Sequence, residues 1–256
     1  MRCTGVKFID SHCHLADNVF FKKLPELIPD WRSKGIIKVG AMATNMKTTK
    51  RILELHKVYP NFIVPSIGRH PWGAHKVSQD ELQIIEQLIT ENKSAVIGEI
   101  GLDHYFVKEK DKQEKQLPLF KFFLELAQKY KRPIMLHVTG AEKNIFEILS
   151  TFKLESKICC HWYSGPEGIL KKLRDIGCYF TINPSFQASK NHRKVLENVN
   201  LNHLLTESDG PVKFQGKTNS PTIIPSLVTK IATKLEINES KLESIIYQNY
   251  LDFLQD

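Results

Sequence analysis

The sequence lacks several features that would place it in a particular class of protein. No run of about 18 apolar residues occurs among its 256 residues, which argues against a membrane-spanning helix. Residues 1–7 lack the long apolar segment of a secretory signal, so we expect a cytoplasmic protein with no membrane partner. No linker or low-complexity stretch interrupts the chain, and no segment has the composition of a disordered region.

Cysteine usage argues against two kinds of cross-linked site. The five cysteines are an odd number, and none of them forms a CxxC pair of the kind that binds metal. Cys159 and Cys160 lie inside an apolar run. This placement favours reduced thiols in the core over a disulfide framework.

Charge of both signs is present, but the balance is basic. Lys and Arg total 36 against 28 Asp and Glu, which makes the formal net charge +8. Such a balance favours polyanionic partners through long-range attraction. The local basic runs at 47–51 and 108–115 are typical of solvated helix faces, so they assign no binding surface by themselves.

Short apolar runs of strand length alternate with amphipathic segments of helix length along the whole chain. This pattern predicts parallel βα units. The predicted strands are 7–12, 36–41, 62–67, 95–100, 133–138, 157–162, 178–182 and 204–207. The predicted helices are 24–33, 48–59, 80–92, 113–131, 142–152, 167–176, 189–198, 223–235 and 240–254, with Asn238 as the N-cap of the last. Eight such units predict a TIM-type (β/α)8 barrel, in one domain spanning residues 1–256.

A doubly wound open sheet would produce the same alternation of strands and helices. That fold more naturally carries a glycine-rich phosphate loop after its first strand. In this sequence the position holds Asp10, Ser11, His12, Cys13 and His14. The barrel is therefore the preferred α/β fold.

Histidine and carboxylate side chains recur at the ends of the predicted strands. They are His12, His14, Glu99, His137, His161 and Asp209. In a (β/α)8 barrel the carboxyl ends of all strands converge on one mouth. A lone histidine at a strand end is more often a structural residue, but six such side chains at one opening would be costly without a cation. They predict a metal centre.

The residue types indicate how ions would be held. His12 and His14 are two positions apart, so both point to one face of an extended strand, whereas Cys13 points toward the core. Glu99 can bridge two ions about 3.5 to 4 Å apart, the separation typical of two-metal phosphodiester hydrolysis. Asp209 would bind an ion and also orient or deprotonate the attacking water. We expect one or two divalent ions, with Mg²⁺ or Mn²⁺ preferred and Zn²⁺ also suited to these ligands.

Six short segments, in order along nearly the whole chain, resemble the motifs of TatD-like metal-dependent deoxyribonucleases in the amidohydrolase superfamily. They are residues 8–15 (FIDSHCHL), 68–71 (GRHP), 98–103 (GEIGLD), 136–137 (LH), 161–165 (HWYSG) and 207–211 (ESDGP). The resemblance implies a TIM-type barrel, one or two divalent ions and hydrolysis of DNA, often 3′ to 5′ from single-stranded ends.

The resemblance also implies roles by position. One ion would be held by His12, His14, Glu99 and Asp209. A second would be held by Glu99, His137 and His161. His70 would contact the scissile phosphate, and the alternative for it is a loop residue that supports the mouth.

The sequence departs from the commoner family pattern near the mouth. Thr139 stands where an Arg usually follows the strand-five His, and Gly210 replaces a common Ala. Trp162 and Tyr163 stand where Cys and Phe are frequent. Arg69 could supply the lost positive charge, since a guanidinium grips phosphate bidentately.

Four aromatic residues fall in or beside these motif segments and can stack on unpaired bases. They are Trp72, Tyr105, Trp162 and Tyr163. Core packing is an equal alternative for each of them.

Three other functions compete with the nuclease. Amide, lactone or ester hydrolases of the same superfamily often bridge two metals with a carboxylated lysine on strand four, where this chain has Glu99 and no lysine. Removal of D-amino acids from mischarged tRNA, an ester hydrolysis known among TatD-like relatives, stays open. The intact ligand set argues against a non-catalytic nucleic-acid-binding subunit. We predict an exonuclease acting on single-stranded or frayed DNA ends, with RNA as a second polymer and no obligate protein partner.

Overall fold

The computed structural model describes residues 7–152 and 154–255 and contains a sheet of eight parallel strands. Each strand pairs with the next in chain order. The strands are β1 Phe8–Cys13, β2 Ile36–Ala41, β3 Ile63–Ile67, β4 Val96–Asp103, β5 Ile134–Thr139, β6 Ile158–Cys160, β7 Tyr179–Ile182 and β8 Leu204–Thr206. The helices are α1 Leu24–Ser33, α2 Met46–Val58, α3 Gln79–Glu91, α4 Lys110–Tyr130, α5 Glu142–Thr151, α6 Glu167–Asp175, α7 Lys190–Asn198, α8 Ile224–Leu235 and α9 Glu239–Leu254.

Side-chain hydroxyls contribute to the seam between β1 and β8. The Ser11 hydroxyl donates to the Thr206 carbonyl at 2.8 Å, and the Thr206 hydroxyl donates to the Ile9 carbonyl at 2.8 Å. Beyond the strands, the Asp209 N–H donates to the His12 carbonyl at 3.0 Å. The first and last strands are therefore held together, and the sheet forms the predicted (β/α)8 barrel.

The barrel interior is filled by an apolar cluster. Its members are Ile9, Met42, Val64, Val96, Met135, Cys159, Tyr179, Leu205, Tyr250 and Phe253. Tyr250 and Phe253 come from α9, so this helix covers the amino-terminal end of the barrel. Lys157 donates to the carbonyls of Asp252 and Gln255 at the end of α9. The functional site is therefore expected at the opposite end of the barrel, where the strands finish.

Every predicted strand and helix is present, with ends displaced by three residues at most. The strand β4 runs on to Asp103, because its last residues pair with β5, Asp103 opposite Thr139. The strand β6 ends at Cys160, so His161 follows the strand instead of lying in it. Asn238 caps α9 by accepting the Lys241 N–H, as predicted. A short hairpin of β9 Lys213–Phe214 and β10 Lys217–Thr218 was not predicted.

The cysteines that the structure describes are free thiols in the interior. Cys13, Cys159, Cys160 and Cys178 are buried, and Cys13 packs into the apolar core as predicted. Cys3 lies outside the described residues. In the described part of the chain, no helix has the length and apolar character needed to cross a membrane.

Gly101 in β4 lies so close to the backbone of β5 that a larger residue would disturb the packing of the barrel wall. Its φ is +141°, and an added Cβ would lie 1.9 Å from the His137 carbonyl oxygen. Because that contact is with backbone, we expect Gly101→Ala to lower the free energy of unfolding by about 3 kcal/mol or more. The matched control is Gly168→Ala in α6, where an added Cβ meets nothing within 4 Å. This change should be neutral or stabilise by up to about 1 kcal/mol. Urea unfolding of both variants measures the difference, and equal effects would contradict the packing argument.

Candidate metal centre

A cleft of about 1140 Å³ opens at the carboxyl ends of the strands. Seven of the residues assigned from the sequence line it: His14, Arg69, His70, Glu99, His137, His161 and Asp209. His12 is fully buried beside them, 3.5 Å from Glu99. The barrel therefore brings all eight sequence-predicted site residues to one end.

One group of four donor atoms meets at Glu99 Oε2. His12 Nε2 lies 3.5 Å from this oxygen and 3.4 Å from Asp209 Oδ1. His14 Nε2 lies 3.7 Å and 3.2 Å from the same two atoms. Four ligands placed tetrahedrally about 2.1 Å from an ion are about 3.4 Å apart. The observed separations therefore fit ligands of a single divalent ion.

A second group of donor atoms meets at the other oxygen, Glu99 Oε1. His137 Nδ1 and His161 Nε2 each lie 2.9 Å from it and 3.4 Å from each other. His70 Nε2 joins them, 3.4 Å from Glu99 Oε1 and 3.3 Å from His137 Nδ1. The family resemblance implies a phosphate contact for His70, whereas the structure places its ring within this donor group. Glu99 thus faces one donor group with each oxygen.

Unpaired buried atoms are the second sign of a cation site. His12 Nε2, Glu99 Oε2 and Asp209 Oδ1 are buried and have no hydrogen-bond partner in the described structure. A buried polar atom without a partner costs about 1 to 3 kcal/mol. These are atoms of the first donor group, so a divalent ion would satisfy all of them together. The residues present therefore fit a divalent metal.

The charges at the centre also suit a cation. Burial raises the pKa of Glu99, but the surrounding imidazoles, His161 foremost, hold it well below its usual range. Burial lowers the pKa of His14, but its 3.2 Å contact with the Asp209 carboxylate raises it to about 9. Protons on such imidazoles balance the carboxylates when no metal is bound. A divalent ion would displace those protons.

Asp103 supports the centre, and the sequence analysis assigned it no role. Its Oδ2 lies 2.9 Å from His137 Nε2 and accepts the Trp72 indole N–H at 2.7 Å. Its Oδ1 accepts the backbone N–H groups of Tyr105 and Phe106 at 2.9 and 2.7 Å. Burial opposes ionisation of Asp103, but these donors lower its pKa to about 2.

The position of Asp103 determines how His137 is presented. When His137 binds a metal through Nδ1, Asp103 would accept its Nε2–H and so fix the direction of the ring. The available signal was the GEIGLD segment, whose Asp lies four residues after Glu99 on the extended β4. Glu207 stands in a similar place, with Oε2 3.5 Å from His161 Nδ1. Its Oε1 accepts the Asn183 amide N–H at 2.9 Å.

Asp103→Asn should weaken metal binding. The four donors around Asp103 leave no place for an amide NH₂, so His137 loses its partner or turns. We expect metal affinity to fall by about 10- to 100-fold. Calorimetric titration with Mn²⁺ measures the effect. The matched control is Asp30→Asn, which changes an exposed carboxylate paired with Lys34 at 2.6 Å. Equal affinity in the two variants would contradict the role of Asp103.

The residues expected to meet substrate have different surroundings. Arg69 lines the cleft, but its guanidinium donates to the Gly73 carbonyl at 3.1 Å and lies 3.5 Å from Glu81. Thr139 and Lys76 also line the cleft, and Lys76 was not predicted. A Cβ on Gly210 would lie 2.6 Å from the Asn219 carbonyl, so the usual Ala would not fit here without a shift.

For Tyr163 the structure supports core packing, the alternative to stacking on bases. Tyr163 is fully buried, and its hydroxyl donates to the Pro166 carbonyl at 2.9 Å. Trp162 is partly buried and lines the cleft, whereas Trp72 and Tyr105 are exposed at its edge. Phe106, which the sequence analysis did not consider, is exposed beside them.

A TIM-type barrel whose mouth holds five histidines and two carboxylates at these separations defines the class of metal-dependent hydrolases. Comparison with known proteins narrows that class. The model of the TatD related DNase family matches residues 9–255. The chain belongs to the TatD family, as its motifs predicted.

The relatives share this class over the full chain. An uncharacterized metal-dependent hydrolase of Methanocaldococcus jannaschii is 31% identical over 254 residues, with 98% of each chain covered. The human deoxyribonuclease TATDN3 is 25% identical, with 98% of this chain and 96% of the relative covered. The crystal structure of YJJV, a TatD homolog from Escherichia coli, superposes with a TM-score of 0.88 at 24% identity, covering 97% of this chain and 98% of that one. The family match and the two sequence relatives identify a metal-dependent hydrolase that acts on ester bonds, and the crystal structure shows the shared fold.

Proposed function

We propose that the protein hydrolyses phosphodiester bonds of DNA and removes nucleotides 3′ to 5′ from single-stranded ends. The observation that carries the proposal is the pair of donor groups that share Glu99. Ions held by these residues would supply the charge stabilisation of the attacking and leaving oxygens that two-metal phosphodiester hydrolysis requires. The name of the human relative, deoxyribonuclease, and the net charge of +8 support DNA as the polymer.

In this proposal, each of the two donor groups binds one metal ion. His12, His14, Glu99 and Asp209 would hold one divalent ion. Glu99, His137 and His161 would hold the second. Mg²⁺ or Mn²⁺ is the proposed ion, and Zn²⁺ is the third to test. When bound, such ions polarise the phosphate and lower the pKa of water.

The remaining steps belong to the protein's own side chains. Asp209 accepts the proton of the attacking water, since its Oδ1 lies in the first donor group and has no hydrogen-bond partner in the described structure. His70 contacts the scissile phosphate from the edge of the second group. Arg69 lies next to His70 and lines the same cleft. Its phosphate contact would replace the 3.5 Å ion pair with Glu81.

The test compares four substrates with one preparation of enzyme. Single-stranded DNA labelled at the 5′ end should give a ladder of products shortened from the 3′ end, and blunt duplex DNA should react more slowly. RNA and D-aminoacyl-tRNA are the other two substrates. Glu99→Gln protein, purified in parallel, controls for contaminating nucleases. If only the tRNA ester is cleaved, and its cleavage still depends on Glu99, the assignment of the metal centre is supported and the assignment as a nuclease is contradicted.

A further inference from the structure

Three exposed aromatic side chains lie together at the edge of the cleft. Trp72, Tyr105 and Phe106 are 52%, 58% and 61% exposed and all line the cleft. Of the aromatic residues that the structure describes, these are the ones with more than half of their surface exposed. We call these three residues the aromatic shelf. Exposed apolar surface gathered in one place marks a binding site more often than scattered residues do.

The aromatic shelf is continuous with the metal centre. Ring centroids are 4.4 Å apart between His137 and His70, and 4.8 Å apart between His70 and Trp72. They are 5.7 Å apart between Trp72 and Phe106, and 4.9 Å apart between Phe106 and Tyr105. The three shelf rings meet at 66° and 88° and do not stack on one another. A planar ligand can therefore lie on the shelf while its neighbouring group reaches the second donor group.

One buried carboxylate holds the aromatic shelf in place. Asp103 accepts the Trp72 indole N–H and the backbone N–H groups of Tyr105 and Phe106. The same carboxylate lies 2.9 Å from His137 Nε2. The shelf therefore has a fixed position relative to the second donor group.

A cation beside the aromatic shelf suits an anionic ligand. The Lys108 ammonium lies 4.7 Å from the centroid of the Tyr105 ring. Lys76 lines the same cleft, as does Arg69, which is paired with Glu81, and the carboxylates Asp17 and Glu142 line it as well. A ligand with planar rings and regular negative charge matches both features, and a nucleic acid strand with unpaired bases has both.

We propose that the aromatic shelf binds, by stacking, an unpaired nucleobase next to the scissile phosphate. This inference rests on the proposed function and deepens it. A base in a duplex is stacked and paired, so it cannot lie on the shelf until the end frays. Base stacking on an aromatic side chain changes affinity by about 5- to 100-fold. The shelf thus makes the enzyme select single-stranded ends.

The test compares oligonucleotides that differ in one base. Single-stranded DNA with normal bases is compared with strands that carry an abasic site at the last or the penultimate 3′ position. Wild-type protein should prefer the normal strand over at least one abasic strand by about 5- to 100-fold in kcat/KM. In Phe106→Ala and Trp72→Ala this ratio should fall toward one, and Phe106→Tyr should restore it. Leu117→Ala, which removes an exposed apolar side chain of α4 outside this cleft, should keep the wild-type ratio.

A binding measurement separates this inference from the proposed function. Fluorescence anisotropy of the same strands on Glu99→Gln protein, with and without Phe106→Ala, reports the shelf without any cleavage. Suppose that wild-type protein cleaves no DNA, while Phe106→Ala lowers the affinity for the normal strand but not for the abasic strands. The proposed function is then contradicted, and base binding by the aromatic shelf is supported. If DNA is cleaved and neither abasic strand is disfavoured, the shelf is overturned and the nuclease stands. A base preference that survives in both alanine variants also overturns the shelf.

Discussion

Replacing Glu99 by Gln should reduce kcat/KM by about 10³-fold or more. Each carboxylate oxygen of Glu99 faces a different donor group, at distances of 2.9 to 3.7 Å. The amide keeps the volume of the side chain but removes its charge, and its NH₂ group is no metal ligand. One substitution therefore disturbs both groups at once.

Kinetics, metal content and fold are measured on the same Glu99→Gln preparation. Steady-state rates should fall together with the bound metal found by mass spectrometry, while the far-ultraviolet circular dichroism spectrum stays unchanged. The matched control is Glu86→Gln, which neutralises a carboxylate that pairs with Lys129 and Tyr130 on the helical surface. Glu86→Gln should keep wild-type rates. Wild-type rates in Glu99→Gln would refute the bridging role of Glu99.

Removing the metal should abolish activity, and adding Mg²⁺ or Mn²⁺ should restore it. The protein alone offers ionised Glu99 and unpaired donor atoms but no group that activates water as strongly as a metal ion does. We expect exhaustive chelation to lower the rate by about a hundredfold or more. Restoration is measured with Mg²⁺, Mn²⁺ and Zn²⁺ in turn. Full activity in protein free of metal by mass spectrometry would contradict a metal-dependent mechanism.

Metal removal should also change the stability and the proton balance of the protein. An ion that binds only the folded state at a concentration 100 times its Kd stabilises that state by about 2.7 kcal/mol.

The pKa of His14 is raised to about 9 in the metal-free protein, so its ring is protonated at pH 7 and competes with the ion. Metal affinity should therefore increase from pH 7 toward 9. Calorimetry across this range measures both the affinity and the protons released.

The ligands could be predicted because residue type and local position carry the signal. His12 and His14 have the spacing that directs two side chains to one face, and Glu99, His137 and Asp209 each come near the end of an apolar strand. A barrel brings strand ends together wherever they lie in the chain. The pairing of each Glu99 oxygen with its own donor group depends on side-chain directions, which spacing does not specify.

The substrate side of the site was harder to predict. Tyr163 and Phe106 are both aromatic residues in or near motif segments. Tyr163 is buried, with its hydroxyl bonded to the Pro166 carbonyl, whereas Phe106 is exposed on the aromatic shelf. Arg69 carries the expected charge, but its guanidinium forms an ion pair with the Glu81 carboxylate of α3. Burial and ion pairing of this kind arise from neighbours that are distant in the chain.

The sequence by itself determined the alternation of strands and helices, the barrel and the residue types of the metal centre. Each of these follows from local periodicity or from position at a strand end, where the physical cause lies within a few residues. Tertiary structure alone decided that His70 lies in the second donor group, that Asp103 links His137 to the aromatic shelf, and that Ser11 and Thr206 join the first and last strands. The Asp103–His137, His70–His137 and Ser11–Thr206 contacts connect residues that are 34, 67 and 195 positions apart. They form only after the chain has closed on itself, because no local pattern specifies which distant side chains will meet.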